Sequence, residues 1–399
     1  MAQPCRRWRP APLLLGLSTA EKERPPAIRW PSTKASSRAA AAANGGVELR
    51  ATKLPLIGHI LHLGLPNLIG VPPHRILRHL SRRYGAGGLL FLKIGEIPTV
   101  VVSSREAVEE VMKTHDAIFA TRLQTETVKS VHKRGSDIAF APYGNEWRQL
   151  RRICMVELLS TKRPSLSNLL VFSTSFYMNS QVRLTTYIKM QDLLLSGTHT
   201  VTTIIDWAMA ELMRNPLVMS RAQSEVRTAF MEQMKVTEEG LRKLRYFHWV
   251  IKETLRLHSP GPLLIGRGSQ ETCRVMGYDV PKGSMVLVSA WAMSRDPKYW
   301  DEPETFKPER FENDTRDFRD HDFEFTPFGA GRRMCPGVSF GLASVELALA
   351  NLLFHFDWNL PDGVDANKLD MAETMGFAGK RKAEHWLKPI LRVPFASRN

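Results

Sequence analysis

The run Phe328-Gly329-Ala330-Gly331-Arg332-Arg333-Met334-Cys335-Pro336-Gly337 holds the densest chemistry in the chain. Glycines at 329, 331 and 337 permit a tight loop whose backbone amides turn inward, and Cys335 falls just before an apolar-faced helix over 338–356. Amides at a helix N-terminus, together with the helix dipole, stabilise a thiolate. A thiolate held this way is a metal ligand or a nucleophile. A lone cysteine is more often an inert buried thiol, and the loop around Cys335 weighs against that. Glu253 and Arg256 lie three apart on one helical face, and the plain reading is a surface ion pair worth about 0.2–0.5 kcal/mol. Trp147 and Arg151, four apart, share a face that suits one carboxylate met by an indole N–H and a guanidinium. In Ser196-Gly197-Thr198-His199-Thr200 a hydroxyl follows a glycine within one helical turn. Thr200 either passes protons across the space that Gly197 opens or bonds back to its own helix.

These groups need elements to carry them. Residues 76–84 read as a basic amphipathic helix, and Leu89–Leu92 and Thr99–Val102 as a hairpin about a turn containing Gly95. A helical phase starts at Ser104, and another begins near Asn145. From Met190 to Arg227 the pattern is one long helix or a kinked pair broken near Pro216. A single helix is predicted over 238–258, with Leu241, Leu244, Phe247, Ile251 and Leu255 on one face, and Pro260 ends it. Residues 277–290 read as a hairpin on a Pro281-Lys282-Gly283 turn. Residues 164–182 carry no charge, but their Ser, Thr, Asn and Gln content favours a connector over a membrane span.

Composition narrows the function classes. The chain has 399 residues, 43% of them hydrophobic and 24% charged, which is ordinary globular composition with length enough for a sizeable core. Cys5, Cys154, Cys273 and Cys335 form no C-x-x-C pair, so neither a structural zinc site nor a disulfide scaffold is indicated. Of the net charge of +15, a surplus of six comes from residues 1–50, and the rest is spread thinly. No basic cluster with interleaved aromatics appears, which argues against nucleic acid; an acidic protein or an anionic membrane surface suits the charge better. Residues 1–50 read as an unstructured leader or as a signal or transit peptide whose acid-poor pattern Glu21 and Glu23 interrupt, with an apolar stretch from Ala11 to Leu17 that is too short to cross a bilayer.

Phe328, Gly331, Arg333, Cys335 and Gly337 complete the pattern F-x-x-G-x-R-x-C-x-G, and by it the chain resembles the cytochrome P-450 monooxygenases. The resemblance implies a mainly α fold with small β-sheets (α+β). It also implies haem b (iron protoporphyrin IX) with Cys335 as the proximal iron ligand, pushing electron density onto the metal to favour O–O cleavage. Phe328 then packs beside the sulfur, and Arg333, Trp147, Arg151 and Arg267 meet the haem propionates, although Gly266-Arg267 stands where the family usually has Pro-Arg. With Phe306-Lys307-Pro308-Glu309-Arg310-Phe311 following it, the Glu253/Arg256 pair resembles the family's structural triad of Glu253, Arg256 and Arg310. Ser196–Thr200 resembles its oxygen-binding segment, with Gly197, His199 and Thr200 as the catalytic set and His199 in place of the usual acid.

The resemblance runs from about Lys53 to Pro394 and is nearest to plant microsomal enzymes. It implies O2, an NADPH-dependent flavoprotein reductase docking around Arg332, a small apolar substrate that is terpenoid-like or phenolic, and the cytosolic face of the endoplasmic reticulum. Leu195, Gly261–Leu264 and Thr374–Phe377 are its candidate pocket residues. Residues 51–399 then form one haem domain in which 152–190 is abbreviated. Gly197 follows Arg151 by only 46 positions, too few for the helices the family threads there. Two readings follow: a monooxygenase, or a truncated, non-catalytic haem-binding remnant of one. Haem-thiolate chemistry without O2 is a third, against which the Gly197/Thr200 pair argues.

Overall fold

The computed structural model describes residues 58–59, 63, 70–131, 137–159, 184–319, 322–361, 364–375, 378–384 and 386–395, all within the compact unit Gly45–Asn399. The leader and the uncharged segment 164–182 lie outside the described residues.

Helix α1 (Pro73–Tyr84) starts on a proline at its first position and buries Ile76, Leu77 and Leu80, while Arg82 and Arg83 complement the dipole at its end. It packs on the hairpin of β1 (Leu89–Ile94) and β2 (Ile97–Val102), whose turn uses Gly95 at φ +59°. Ser104 accepts a hydrogen bond from the Ala107 amide and so caps α2 (Arg105–Glu109), which continues as a π-helical turn, Glu110–Thr114. Then come α3 (Glu126–Val131) and α4 (Asn145–Ile153). Beyond them lie α5 (Leu184–Arg214), whose side chains are described from Ser196 onward, and α6 (Pro216–Phe230). The break falls at Asn215, where Pro216 can open a helix but not continue one.

The helix read over 238–258 is two helices, α7 (Glu238–Leu241) and α8 (Arg245–Leu257), separated by an extended Leu244. The cause is non-local: the Glu225 carboxylate of α6 accepts hydrogen bonds from the Tyr246 and Phe247 amides at 3.0 and 2.7 Å, capping α8 from another helix. The hairpin read over 277–290 also changes partners. β3 (Arg267–Gly268) precedes β4 (Cys273–Val275), which pairs with β5 (Tyr278–Val280). Their turn has Met276 and Gly277 both at positive φ, the geometry of a type I′ turn. Pro281–Gly283 instead switches the chain between sheets, so that β6 (Met285–Val288) runs parallel to β2 in a four-stranded sheet of order β1-β2-β6-β3.

The chain then runs through α9 (Ala290–Met293), a 3-10 turn at Pro308–Phe311 and the cysteine loop to α10 (Val338–His355). Short two-stranded sheets finish it: β7 (Phe356–Asn359) with β10 (Lys388–Leu391), and β8 (Glu373–Met375) with β9 (Gly379–Arg381). The largest core joins the C-terminal half of α5 to α6, α8 and α10 through Ala208, Leu212, Val226, Phe230, Phe247, Leu255, Val345 and Phe354. Each fully buried Leu, Val or Phe contributes about 1.5–3 kcal/mol. The helix that follows Cys335 is therefore anchored at the centre of the molecule.

Candidate functional site

The cysteine loop is a closed hairpin. The Gly329 amide donates to the Thr326 carbonyl, the Met334 amide to the Gly331 carbonyl and the Cys335 amide to the Phe328 carbonyl, each at 3.0 Å. Gly329 and Gly331 sit at φ +69° and +67°, the left-handed region that favours glycine. A Cβ on Gly331 would lie 2.4 Å from the Met112 carbonyl oxygen and 2.5 Å from Asp116 Oδ1, so no other residue fits. Phe328 stacks edge-on against Phe318, ring centroids 5.0 Å apart, and packs on the main core. Gly337 caps α10.

Cys335 is exposed as a residue, yet its thiol is ringed by protein mass. Burial by that surrounding mass pushes its pKa up, and the Gly337 amide and the Arg151 guanidinium pull it down by less. A metal bound there would displace the thiol proton.

Four arginines gather on one side of this loop. Arg333 donates to the Ala120 and Ala141 carbonyls at 2.6 Å, and its guanidinium lies 4.1 Å from the Trp147 ring. Arg267 pairs with Asp116 at 3.0 Å and donates to the Ala330 carbonyl. Arg151 of α4 donates to the Met334 carbonyl, next to the cysteine. The fourth, Arg122, donates to the carbonyls of Ala139, Ile265 and Gly266.

Burial first, and then the charges of Arg267 and Arg151, push Arg333 down to about 10. Burial, followed by Arg267 and Arg333, holds Arg122 well below its ordinary value. Among the described residues, the carboxylates felt by this cluster are Asp116 and Asp137. This side of the loop therefore carries an excess of buried positive charge. Arg122 escaped the sequence reading because its only trace was being the single charge between Asp116 and Glu126. The Trp147 indole N–H donates to the Ile138 carbonyl at 2.9 Å, and its ring lies under the Arg333 guanidinium.

The structure brings Glu253, Arg256 and Arg310 together. Arg256 grips both oxygens of Glu253 at 2.8 Å, with both side chains fully buried, and Arg310 Nε donates to Glu253 Oε1 at 3.0 Å. Arg256 also donates to the carbonyls of Ser294, Pro303 and Thr305. The pair is no surface ion pair but a buried fork that ties α8 to the loop before the cysteine.

On α5, Gly197 has open space where a Cβ would stand. The Thr200 hydroxyl donates to the Ser196 carbonyl at 2.9 Å and reaches the Gly197 carbonyl at 3.3 Å, the back-bonded arrangement. His199 is exposed, on the side of the helix away from Gly197 and Thr200. Of the candidate pocket residues, Leu264 holds φ +51°, and its Cδ1 lies 3.6 Å from where a Gly329 Cβ would be, so this loop abuts the cysteine hairpin. The Leu195 side chain and residues 376–377 lie outside the described residues.

The sequence model of the family described as Cytochrome P450 matches residues 50–179 and 184–385. The chain belongs to the cytochrome P450 family. It is 33% identical to salviol synthase of Salvia pomifera, covering 85% of this chain and 91% of that one. It is 34% identical to 5-epiaristolochene 1,3-dihydroxylase of Nicotiana tabacum (84% and 91%) and to costunolide synthase of Cichorium intybus (86% and 92%). The P450 fold also matches a zebra fish cytochrome P450 solved with progesterone, at TM-score 0.66 and 22% identity over 81% of this chain and 100% of that one.

The alignment to salviol synthase runs over 459 positions, of which 85% of a 399-residue chain fills about 340; about 120 positions of the relative face nothing here. The P450 family match is itself interrupted at 180–183, at the end of the uncharged segment. As a P450 the chain is a monooxygenase of the haem type, and its own residues fit that group. Among the described residues no cluster of three or more His, Cys, Asp or Glu could hold a bare metal ion. A single thiol beside buried arginines with few carboxylates among the described residues suits a metal carried in an anionic macrocycle.

Proposed function

We propose that this P450 takes haem b on Cys335 and hydroxylates a small apolar molecule, terpenoid-like or phenolic, with O2 and electrons from an NADPH-dependent flavoprotein reductase. Haem bound at that thiolate supplies the activation of O2. The chain's own residues do the rest. Arg122, Arg151, Arg267 and Arg333 receive the propionates, and Glu253, Arg256 and Arg310 hold the cysteine loop against the core. Gly197 leaves room for substrate and oxygen, while Thr200 releases its carbonyl partners to hand a proton across that space; His199, on the other side of the helix, takes no part in that transfer. The observation that carries the reading is Cys335 in its closed loop beside a buried arginine cluster in a P450 chain.

The substrate class rests on relatives named for 5-epiaristolochene dihydroxylation and for costunolide and salviol synthesis. Exposed Arg148, Arg152 and Arg332 offer an acidic reductase its docking face, and the cytosolic surface of the endoplasmic reticulum is the station that goes with such a partner. The reduced carbon-monoxide difference spectrum of the haem-supplemented chain tests the core of the reading. A strongly red-shifted Soret band, lost in Cys335→Ala, is the expected result. Haem uptake without that shift, or none, would replace it with the second reading, a non-catalytic remnant, which the 120 or so unmatched positions favour.

A further inference from the structure

Asp116 stands between the arginine cluster and the cysteine loop, and nothing in the sequence singled it out. It lies in the turn after the π-helical segment Glu110–Thr114 and is nearly buried. Its two oxygens face different partners. Oδ1 pairs with Arg267 at 3.0 Å, while Oδ2 accepts from the Arg332 backbone amide at 2.9 Å and lies 3.4 Å from Arg332 Nε. Arg332 is in the 3-10 turn Gly331–Arg333 that leads into Cys335, and the absent Cβ of Gly331 is what lets the carboxylate approach so closely. The turn bearing Asp116 is itself fixed from behind: Gln270 donates its amide N–H to the Ile118 carbonyl and its side chain to the Ala117 carbonyl, and the Gly268 amide donates to the Thr121 carbonyl. Arg267 is carried by the four-stranded sheet through β3.

We propose that Asp116 is a positioning residue of the thiolate site. One carboxylate ties the sheet-borne Arg267 to the backbone of the cysteine loop, so the propionate-facing arginine and the iron-binding sulfur are held in one frame. It offsets the charge of Arg267 and of Arg332, and the cluster keeps a positive excess for an anionic ligand. This rests on the haem-thiolate reading for its purpose but not for its geometry, and the two fail separately in the test.

The first measurement uses the haem-free full chain: hydrogen exchange of the Gly331–Cys335 amides in wild type and Asp116→Asn, referenced to the α10 amides. Exchange in the loop is expected to rise about tenfold or more with α10 unchanged, the opening that loss of one charge-assisted bond allows. If Asp116→Asn does not fold, the same comparison is read on Asp116→Glu, which keeps the charge but cannot seat both oxygens; a rise confined to the loop supports the proposal there too. Loop protection equal to wild type in a folded variant overturns it, whatever the chain does with haem. The second measurement adds haem and carbon monoxide. A variant that takes up haem but loses the red-shifted band is expected, because a merely structural carboxylate would alter uptake and leave the band in place. An unaltered band at full occupancy overturns the proposal.

Discussion

Glu253 is a single carboxylate between two guanidiniums and a backbone amide, the Lys307 N–H, in a place water does not reach. Glu253→Gln keeps the shape and removes the charge, leaving Arg256 buried and uncompensated; a loss of about 3–5 kcal/mol is expected. It is read as a lower denaturant midpoint at unchanged slope. Gly331→Ala is expected to fail for a different reason, since its Cβ would meet backbone at φ +67° and only a shift of the Met112 or Asp116 segment could make room. Both variants should bind haem poorly. Thr200→Ala separates chemistry from stability: among the described residues the hydroxyl is bonded within its own helix, so stability should change by less than about 0.5 kcal/mol. Under the proposed function, product formed per O2 consumed should nevertheless fall.

At the scale of elements, α1 is clamped to β8 through Glu373, which takes His74 Nε2 at 2.8 Å and Arg75 Nε at 3.1 Å. Burial pushes the Glu373 carboxyl up, but His74 and Arg75 together outweigh it and hold it well below the ordinary carboxylate value of 4.5. The folded value lies below the unfolded one, so the clamp's stabilisation is present above about pH 4.5 and is lost as pH falls from there. Glu373→Gln should therefore melt below wild type at neutral pH, and the gap should close on acidification. The elements also mark how far local pattern reaches. The Gly95 hairpin, the start of α4 and the break at Pro216 each depend on neighbouring residues and were legible in the sequence. The split before α8 depends on Glu225, and the placing of β6 on a parallel partner from the N-terminal hairpin; neither leaves a local mark. At the site, the cysteine loop and the Glu253 fork carry motifs, whereas Arg122 and Asp116 reach it from a turn with no periodicity to betray them.

For the molecule as a whole, the haem-binding half and the distal half are unequal. Along α5 the C-terminal part buries Trp207, Ala208, Ala210 and Leu212 in the core, while Ser196, Thr198, His199 and Thr202 toward its N-terminal part are exposed. The C-terminal part of α5 is thus held by the core, and its N-terminal part, the oxygen side under the proposed function, is exposed among the described residues. Haem capture depends on the first and productive turnover on both. Under the proposed function, solvent at that side would weaken the field on the reacting groups and leave a small apolar substrate poorly held. The chain loaded with haem and supplied with a reductase should therefore consume NADPH mostly to release peroxide, with product a minor share, and a bulkier apolar substrate should raise that share by displacing water. Measuring NADPH, peroxide and product in one reaction checks this. Tight coupling with a small substrate would mean that the oxygen side is closed in solution, and would shift the cause of any low activity from an open oxygen side to the electron supply.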